Sequence, residues 1–277
     1  MDNFYIITNL LKDKDFKVTN DIAEYIRRQG KTCHVAVKDK DGFIVPGTVP
    51  ENIECGIVLG GDGTLIRAAR ELRDFNFPFI GINLGTLGYL TEVEIKDYKV
   101  ALDKLFRDDY VIERRVMLKG TVEGLVEDRA LNDIVLTRDG QLRIVGFNIY
   151  VNDELLICYH SDGMIISSPT GSTGYNLSAG GPILSPTSKS VVITPICPHS
   201  LNRSSIVLSS EDRIEVEVLN DRCGNPETVS VTFDGANRKD LVSGNRVYIE
   251  ASSCTTSLVK VGSESFMKRL RVKMKGN

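Results

Sequence analysis

The stretch from Gly60 to Thr64 reads GGDGT and carries the residue types best suited to chemistry at a bound phosphate. An apolar run precedes it and a helical pattern follows it, which predicts a strand, a tight turn and a helix start. Glycines let the backbone approach a ligand closely, and a helix N-terminus favours an anion. A carboxylate repels phosphates unless it holds a metal or takes a proton, so Asp62 is the predicted catalytic residue. A purely structural turn remains the alternative, since glycine and aspartate are common in turns.

A second glycine-rich loop, NLGTLGY, runs from Asn83 to Tyr89 after another short apolar segment. Strands that alternate with helices predict parallel βαβ units, whose ligands bind beyond the carboxyl ends of the strands. We therefore expect the two glycine loops to lie at one edge of one sheet.

The segment from Ser167 to Pro186 is rich in glycine and hydroxylated residues and poor in apolar ones. A loop of this length and composition within a compact domain is more typical of a ligand-binding element than of a linker. The sequence therefore predicts a binding loop here, with a short helix near Tyr175.

The elements around these loops divide the chain into an α/β part and a β part. The 277 residues favour two domains. Before Val111 strands alternate with helices, including one predicted to begin at Asp21. After Val111 short Val-, Ile- and Thr-rich runs predict a mainly antiparallel β domain, with a strand from Ala130 to Leu136 and a hairpin turn at Asn152-Asp153.

The composition is that of an ordinary globular protein with a formal net charge of −3. A slightly acidic chain argues against nucleic acid or a membrane surface as a partner, because both require a large basic surface. The six scattered cysteines show neither disulfide nor zinc spacing, so we expect free thiols and a cytoplasmic protein.

Several motifs, in this order along most of the chain, resemble those of the bacterial NAD kinases. They are GGDGT, NLGTLGY, Asn132-Asp133, Asp162-Gly163 and the run TGSTGYNLSAGGP from Thr170 to Pro182. GGDGT alone is shared with diacylglycerol and sphingosine kinases, whereas the long run is much more specific.

The resemblance implies an α/β Rossmann-like domain over residues 1–111 and a mainly β, NAD-binding domain over residues 112–250. It implies that residues 251–277 form a tail that packs back on the first domain. The basic, amphipathic end of this tail is predicted to dock as a helix through its apolar face, which contains Phe266, Met267, Leu270 and Met274. The resemblance also implies a homodimer or homotetramer and a divalent metal, Mg²⁺, that accompanies ATP.

The resemblance implies that Asp62 takes the proton of the adenosine ribose 2′-hydroxyl of NAD as the γ-phosphoryl of ATP is transferred. Gly61 and Gly63 would leave room for phosphates, and Tyr89 and Tyr175 would pack on the rings of the dinucleotide. The full set of residues implied in substrate or nucleotide binding is Gly61, Gly63, Arg67, Tyr89, Asn132, Asp133, Arg143, His160, Asp162, Thr173, Gly174, Tyr175, Asn176, Leu177, Ser178 and Ala236.

Two other functions remain open at this point. A soluble lipid kinase could use the same GGDGT turn, although the polar loop from Thr170 to Ser178 does not suit an apolar substrate. A non-catalytic NAD(P)-binding sensor could also keep such a turn, although it would not need Asp62.

Overall fold

The computed structural model describes residues 1–86, 88–122, 124–139, 144–199, 203–221, 223–262 and 265–275. The chain forms two compact units. The first, here called the α/β unit, comprises Met1–Arg114 and Thr256–Asn277, and the second, the β unit, comprises Arg115–Thr255.

The regular elements follow one another in the order strand, helix, strand at the start of the chain and as consecutive strands after it. The strands in the described residues are β1 (Asn3–Thr8), β2 (Thr32–Val35), β3 (Cys55–Gly60), β4 (Phe79–Asn83), β5 (Val93–Glu94), β6 (Val111–Val122), β7 (Val126–Ala130), β8 (Asp133–Arg138), β9 (Val145–Val151), β10 (Glu154–Ser161), β11 (Gly163–Ser167), β12 (Ser190–Ile196), β13 (Ile206–Ser209), β14 (Ile214–Val218), β15 (Thr228–Phe233), β16 (Ala236–Val242) and β17 (Arg246–Lys260). The α-helices in the described residues are α1 (Lys17–Arg28), α2 (Asp62–Glu71), α3 (Tyr98–Phe106), α4 (Tyr175–Ser178) and α5 (Phe266–Met274).

The sheet of the α/β unit is parallel and runs in the order β17, β4, β3, β1, β2, with β5 beside β4. Every residue of β3 and β4 is buried, as expected of parallel strands that are covered on both faces. In this sheet β2 lies on one side of β1, and β3, the next strand along the chain, lies on the other side of β1. The carboxyl ends of β1 and β3 therefore flank a topological switch point, which is where ligands bind in open α/β sheets.

Helix α1 begins at Lys17, so the predicted start at Asp21 was wrong. The side chain that caps it is Asp13, whose carboxylate accepts hydrogen bonds from the N–H groups of Val18 (3.1 Å) and Thr19 (2.9 Å). Burial raises the pKa of Asp13, but these bonds and the one from the Thr19 hydroxyl outweigh it and leave the pKa below its ordinary value. The cap precedes the helix by several residues, and the sequence pattern does not reveal it.

The β unit contains two antiparallel strand sets around one apolar core. One set runs β13, β12, β11, β8, β15, β16, and the other contains β10, β9, β14 and the start of β17. Inward-facing residues of both sets, such as Phe147, Ile166 and Phe233, are fully buried in the same cluster. The predicted combination of a Rossmann-like α/β part and a mainly β part is confirmed.

Local predictions in the β unit had mixed outcomes. The hairpin turn at Asn152-Asp153 is confirmed, since both residues have positive φ and they join β9 to β10. The single strand predicted from Ala130 to Leu136 was wrong, because the chain leaves β7 at Ala130 and starts β8 at Asp133. Strand β16 was not predicted, because its mostly exposed, charged residues lack an apolar alternation.

The contact of helix α5 with the α/β unit differs from the contact that the sequence pattern predicts. The prediction of an apolar docking face was wrong for Met267 and Met274, which are 64% and 71% exposed. The buried residue of the helix is Arg269, which binds the carboxylate of Glu92 and the carbonyl oxygen of Tyr89. Among the described residues, every helix is too short or too polar to cross a bilayer.

Candidate functional site

The two glycine-rich loops of the α/β unit leave the sheet side by side. Gly60 at the end of β3 is paired with Asn83 at the end of β4, and the N–H of Leu84 donates to the carbonyl oxygen of Gly60 at 2.9 Å. Helix α2 starts at Asp62 with Gly61 as its N-cap residue. The predicted common edge is therefore present.

The carboxylate of Asp62 is held by the segment that follows the second glycine loop. Its Oδ2 accepts from the N–H of Tyr89 at 2.6 Å. Its Oδ1 accepts from the N–H of Leu90 at 3.1 Å and from the N–H and hydroxyl of Thr91, both at 3.0 Å. The side chain is thus fixed in position, and Oδ2, with one hydrogen bond, keeps a lone pair for a further donor.

Close approach explains two of the glycines in these loops. A Cβ on Gly88 would lie 1.8 Å from Oδ1 of Asp62, and a Cβ on Gly60 would lie 2.3 Å from Oγ1 of Thr64. No real Cβ fits at such distances, so both positions require glycine. By contrast, a Cβ on Gly63 would meet nothing within 4 Å, and one on Gly61 would meet only Nζ of Lys12, at 3.6 Å.

Tyr89 and Arg67, both predicted to bind substrate, already contact the protein. The ring of Tyr89 lies 6.2 Å from that of Phe266 and has Nζ of Lys273 at 4.8 Å from its centroid. Burial, and then the Asp62 carboxylate, raise the pKa of Tyr89. Arg67 pairs with Glu71 at 2.5 Å, and its guanidinium lies 4.5 Å from the ring centroid of Phe43.

A cavity of about 580 Å³ opens beside the GGDGT turn. Its described lining combines basic side chains with glycines and polar groups, and the complete set is Asn9, Leu10, Leu11, Lys12, Lys38, Lys40, Asp41, Gly42, Gly61, Gly63, Thr64 and Arg67. Positive charge and accessible backbone make this cavity suitable for phosphates.

In the β unit, Asn132 and Asp133 lie at the start of β8, where the side chain of Asp234 holds their backbone. The Asp234 carboxylate accepts from the N–H groups of Leu131 (2.8 Å), Asn132 (2.7 Å) and Asp133 (3.2 Å). Asp234 and Gly235 both have positive φ and form the tight turn that leads into Ala236, the first residue of β16. Oδ1 of Asn132 is buried and has no hydrogen-bond partner in the described part of the chain.

The carboxyl group of Asp133 is only 6% exposed. Burial, followed by the nearby Asp234 carboxylate, raises its pKa to about 7. A carboxyl that is partly protonated near neutral pH can both donate and accept hydrogen bonds, which suits the recognition of a polar ligand.

Asp162 follows strand β10, which contains His160, and lies in a charged cluster. Its Oδ2 is 3.3 Å from an Nη of Arg138, and its Oδ1 is 3.8 Å from Nε2 of His199. The N–H of His199 donates to the carbonyl oxygen of His160 at 2.8 Å. Arg138 and His199 were not predicted as site residues, because no short motif contains them.

The loop from Ser167 to Pro186 is packed by polar contacts. The amide of Asn176 is fully buried, and its Nδ2 donates to the carbonyl oxygens of Ser172 (3.1 Å) and Pro182 (3.0 Å). Its Oδ1 accepts from the hydroxyl of Thr194 at 2.7 Å. Asn176 therefore fixes the loop from within.

The segment from Thr173 to Ser178 of this loop lies beside Asn132, and several of its side chains are exposed. A Cβ on Gly174 would lie 3.6 Å from Nδ2 of Asn132. Tyr175, Leu177 and Ser178 are exposed, and Thr173 is half-buried. These side chains remain available to a ligand.

The predicted residues thus form a group in each unit. Gly61, Asp62, Gly63 and Tyr89 share the edge of the parallel sheet, and Asn132 and Asp133 lie against the polar loop. Arg143 lies outside the described residues. Among the described residues, no cluster of three or more His, Cys, Asp or Glu side chains is placed to hold a metal ion.

A parallel α/β unit with an aspartate in a glycine turn at its switch point, followed by a β unit with a polar loop, is typical of a nucleotide-binding protein. The family models of the ATP-NAD kinase N-terminal and C-terminal domains match residues 7–110 and 131–261. The chain belongs to the ATP-NAD kinase family and is an enzyme of that family.

Individual relatives agree with this assignment. The chain is 44% identical over 293 residues to the NAD kinase of Lachnospira eligens, with 99% of this chain and 100% of the relative covered. It is 44% identical over 279 residues to the NAD kinase of Agathobacter rectalis, with 99% of each covered.

Two solved structures share the fold. One is yeast NADH kinase complexed with NADH, with a TM-score of 0.81, 22% identity and coverage of 98% of this chain and 86% of that one. The other is an NAD kinase from Archaeoglobus fulgidus in complex with ATP, with a TM-score of 0.80, 24% identity and coverage of 99% and 98%.

Proposed function

We propose that this enzyme transfers the γ-phosphoryl group of ATP to the adenosine ribose 2′-hydroxyl of NAD and releases NADP and ADP. The observation that carries the proposal is the fixed carboxylate of Asp62 at the edge between the two glycine loops. The family assignment supplies the substrates, and the solved relatives that contain NADH and ATP support it.

Asp62 has the role of general base in this proposal. The 2′-oxygen attacks the γ-phosphorus, the bond to the oxygen that leaves with ADP breaks, and the hydroxyl proton passes to Oδ2 of Asp62. Phosphoryl transfer depends mainly on positioning and charge neutralisation. The hydrogen bonds from Tyr89, Leu90 and Thr91 supply the positioning, because they hold the carboxylate before the substrate arrives.

The residues that we assign to binding of the dinucleotide include several in the β unit. Asn132, Asp133 and Asp162 would bind polar groups of the dinucleotide, and the exposed ring of Tyr175 would pack on one of its rings. Oδ1 of Asn132, which has no hydrogen-bond partner among the described residues, supports this assignment, because a buried acceptor without a donor is costly unless a ligand or water satisfies it.

We propose that Mg²⁺ enters as part of the MgATP substrate. Mg²⁺ in kinases is commonly bound in large part by substrate phosphates, so it would accompany ATP to the phosphate edge. The family assignment further favours a cytoplasmic homodimer or homotetramer.

The two rival functions are less well supported. A lipid kinase would need an apolar acceptor groove, whereas the described loop around Asn176 is packed by hydrogen bonds. A sensor without activity would not need a carboxylate held by four hydrogen bonds at the phosphate edge.

The test is to incubate the purified chain with MgATP and NAD and to measure NADP directly. We expect NADP and ADP in equal amounts, and we expect Asp62→Asn to lower turnover by about 10²–10⁴-fold while NAD binding is kept. The exposed Asp15→Asn variant, with the same loss of charge, is the matched control and should retain activity. Near-normal turnover of the Asp62→Asn variant would contradict the proposal that Asp62 is the general base.

The wild-type result separates the rival functions. NAD binding without NADP formation would support the sensor. The absence of both, together with phosphorylation of a lipid alcohol, would support the lipid kinase.

A further inference from the structure

The turn after β1 is tied to the GGDGT motif through Asn9. The N–H of Asn9 donates to the carbonyl oxygen of Leu59 at 2.9 Å, and its Nδ2 donates to Oγ1 of Thr64 at 3.0 Å. The carbonyl oxygen of Asn9 in turn accepts from the N–H of Lys12 at 3.0 Å. The backbone of Lys12 is therefore fixed relative to the catalytic turn.

The ammonium group of Lys12 lies between the two glycine loops. Its Nζ is 3.6 Å from the position that a Cβ would take on Gly61 and 2.9 Å from that position on Gly85. The absence of side chains on both glycines leaves the space that this ammonium group occupies.

Lys12 differs from two other cations of the cavity, which already have protein partners. Arg67 pairs with Glu71 and donates to the carbonyl oxygen of Gly42 at 2.6 Å. Lys38 donates to the carbonyl oxygen of Thr8 at 2.6 Å. Within the described chain, the side chain of Lys12 makes no hydrogen bond and no ion pair.

The position of Lys12 at the switch point suits it to bind an anionic ligand. Lys12 follows β1 and the GGDGT turn follows β3, so both stand at the place where an open parallel sheet binds its ligand. The cavity at this place has a volume of about 580 Å³ and is lined by four basic side chains and by one acidic side chain, Asp41, among the described residues. Its size and charge suit a triphosphate.

We propose that Lys12 is a catalytic residue that binds the terminal phosphates of ATP. This proposal rests on the proposed kinase function and assigns the cation that the phosphoryl transfer needs. Nζ of Lys12 contacts the oxygens of the γ-phosphoryl group as its bond to the leaving oxygen of ADP breaks and the bond to the ribose oxygen forms. The ammonium group keeps its protons, and the hydroxyl proton passes to Asp62.

The plain alternative is that Lys12 is a solvated surface lysine. Lys14, two positions further along the same turn region, is exposed and provides the comparison. A solvated lysine would tolerate removal as well as Lys14 does, whereas a phosphate-binding lysine would not.

The experiment compares Lys12→Met, Lys12→Arg and Lys14→Met in the full chain. Initial rates are measured against MgATP and against NAD, and binding of inorganic tripolyphosphate is measured by calorimetry without NAD. We expect Lys12→Met to lower kcat/KM for ATP by about 10²-fold or more and to weaken tripolyphosphate binding. Lys12→Arg should recover part of both losses, Lys14→Met should resemble the wild type, and the KM for NAD should stay within about threefold in all variants.

Two results would overturn the proposal while wild-type NADP formation leaves the kinase function intact. One is equal behaviour of Lys12→Met and Lys14→Met. The other is a change confined to the KM for NAD, which would place Lys12 on the acceptor side. Thermal unfolding of each variant checks its folding, and Lys12→Gln replaces Lys12→Met if the latter is recovered unfolded.

Discussion

At the scale of single residues, Gly60 and Gly88 make room for side chains of the protein itself. The sequence suggests that glycines in GGDGT leave room for phosphates. In the structure, Gly88 is required because the Asp62 carboxylate occupies the place of its Cβ, and Gly60 is required by Thr64. The glycine-rich loops are therefore the means by which Asp62 reaches the N–H groups that hold it.

Asp133 provides a prediction about pH. Its pKa in the folded protein is raised to about 7, above the value of about 3.9 for an unfolded chain. The folded state therefore binds more protons between these values, and its stability falls as pH rises through this window. We expect Asp133→Asn to remove this loss and to be more stable than the wild type at pH 8, by about 4 kcal/mol at most. The free energy of unfolding in urea, measured from pH 4 to pH 8, checks this.

The control for Asp133 is Glu211→Gln, which removes a negative charge from an exposed position of the same unit. Its stability curve should run parallel to that of the wild type. A parallel curve for Asp133→Asn as well would mean that the pKa of Asp133 is the same in the folded and unfolded states.

At the scale of elements, helix α5 supports the segment that holds Asp62. Tyr89 donates its N–H to Asp62, and its carbonyl oxygen accepts from an Nη of Arg269 at 3.3 Å. Arg269 and Lys260 both bind the buried carboxylate of Glu92, with Nζ of Lys260 at 3.0 Å. The last helix is therefore connected to the Asp62 carboxylate through a single backbone segment.

Arg269→Met should lower kcat by about 10-fold or more with a smaller change in either KM, because the Tyr89–Thr91 segment would lose a support and misplace Asp62. It should also destabilise the fold by about 1–3 kcal/mol, because Glu92 would lose one buried partner and keep Lys260. Steady-state kinetics and hydrogen exchange at the Tyr89–Thr91 amides measure the two effects.

The neighbouring Arg271→Met is the matched control, since Arg271 is exposed on the same helix, and it should leave kcat unchanged. Arg269→Lys should recover part of the rate. If Arg269→Met lost stability but kept kcat at a temperature where it is folded, helix α5 would contribute to the stability of the fold and not to the rate.

At the scale of the whole molecule, each unit has its own apolar core. Among the described residues, the core cluster of the β unit draws only on residues between Leu118 and Ile249. The core cluster of the α/β unit draws on Phe4 to Leu105 and also on Val259 from the end of β17. The first core is continuous in sequence, whereas the second needs the end of the chain.

This difference predicts how fragments behave. Residues 115–255 alone should fold and unfold cooperatively, because their core is complete. Residues 1–114 alone should not, because Phe79 loses its strand partner Leu258 and Glu92 loses Lys260 and Arg269. Circular dichroism with urea unfolding measures both fragments.

The matched control joins residues 1–114 to residues 256–277 by a flexible linker, and it should restore cooperative unfolding. Cooperative unfolding of 1–114 alone would show that the C-terminal segment is dispensable for this core.

The sequence alone predicted most elements whose signal is local. Local composition alone indicates a strand at the buried apolar runs of β1, β3 and β4. It likewise indicates a turn at Asn152-Asp153. The start of α1 and strand β16 were not predictable in this way, because the former depends on the capping side chain of Asp13 and the latter on pairing with β15. Non-local contacts override local propensity at both places.

For the site, the sequence determined the family, the aspartate and the glycine loops, because these depend on residue types at fixed spacings. Only the tertiary structure decided what surrounds them: the four hydrogen bonds to Asp62, the raised pKa of Asp133, and the positions of Lys12, Arg138 and His199. Lys12 belongs to none of the motifs. It comes close to the GGDGT turn only because β1 pairs with β3 and the loops after both strands share one edge of the sheet. A motif specifies residue types, whereas charge and distance at the site follow from strand order.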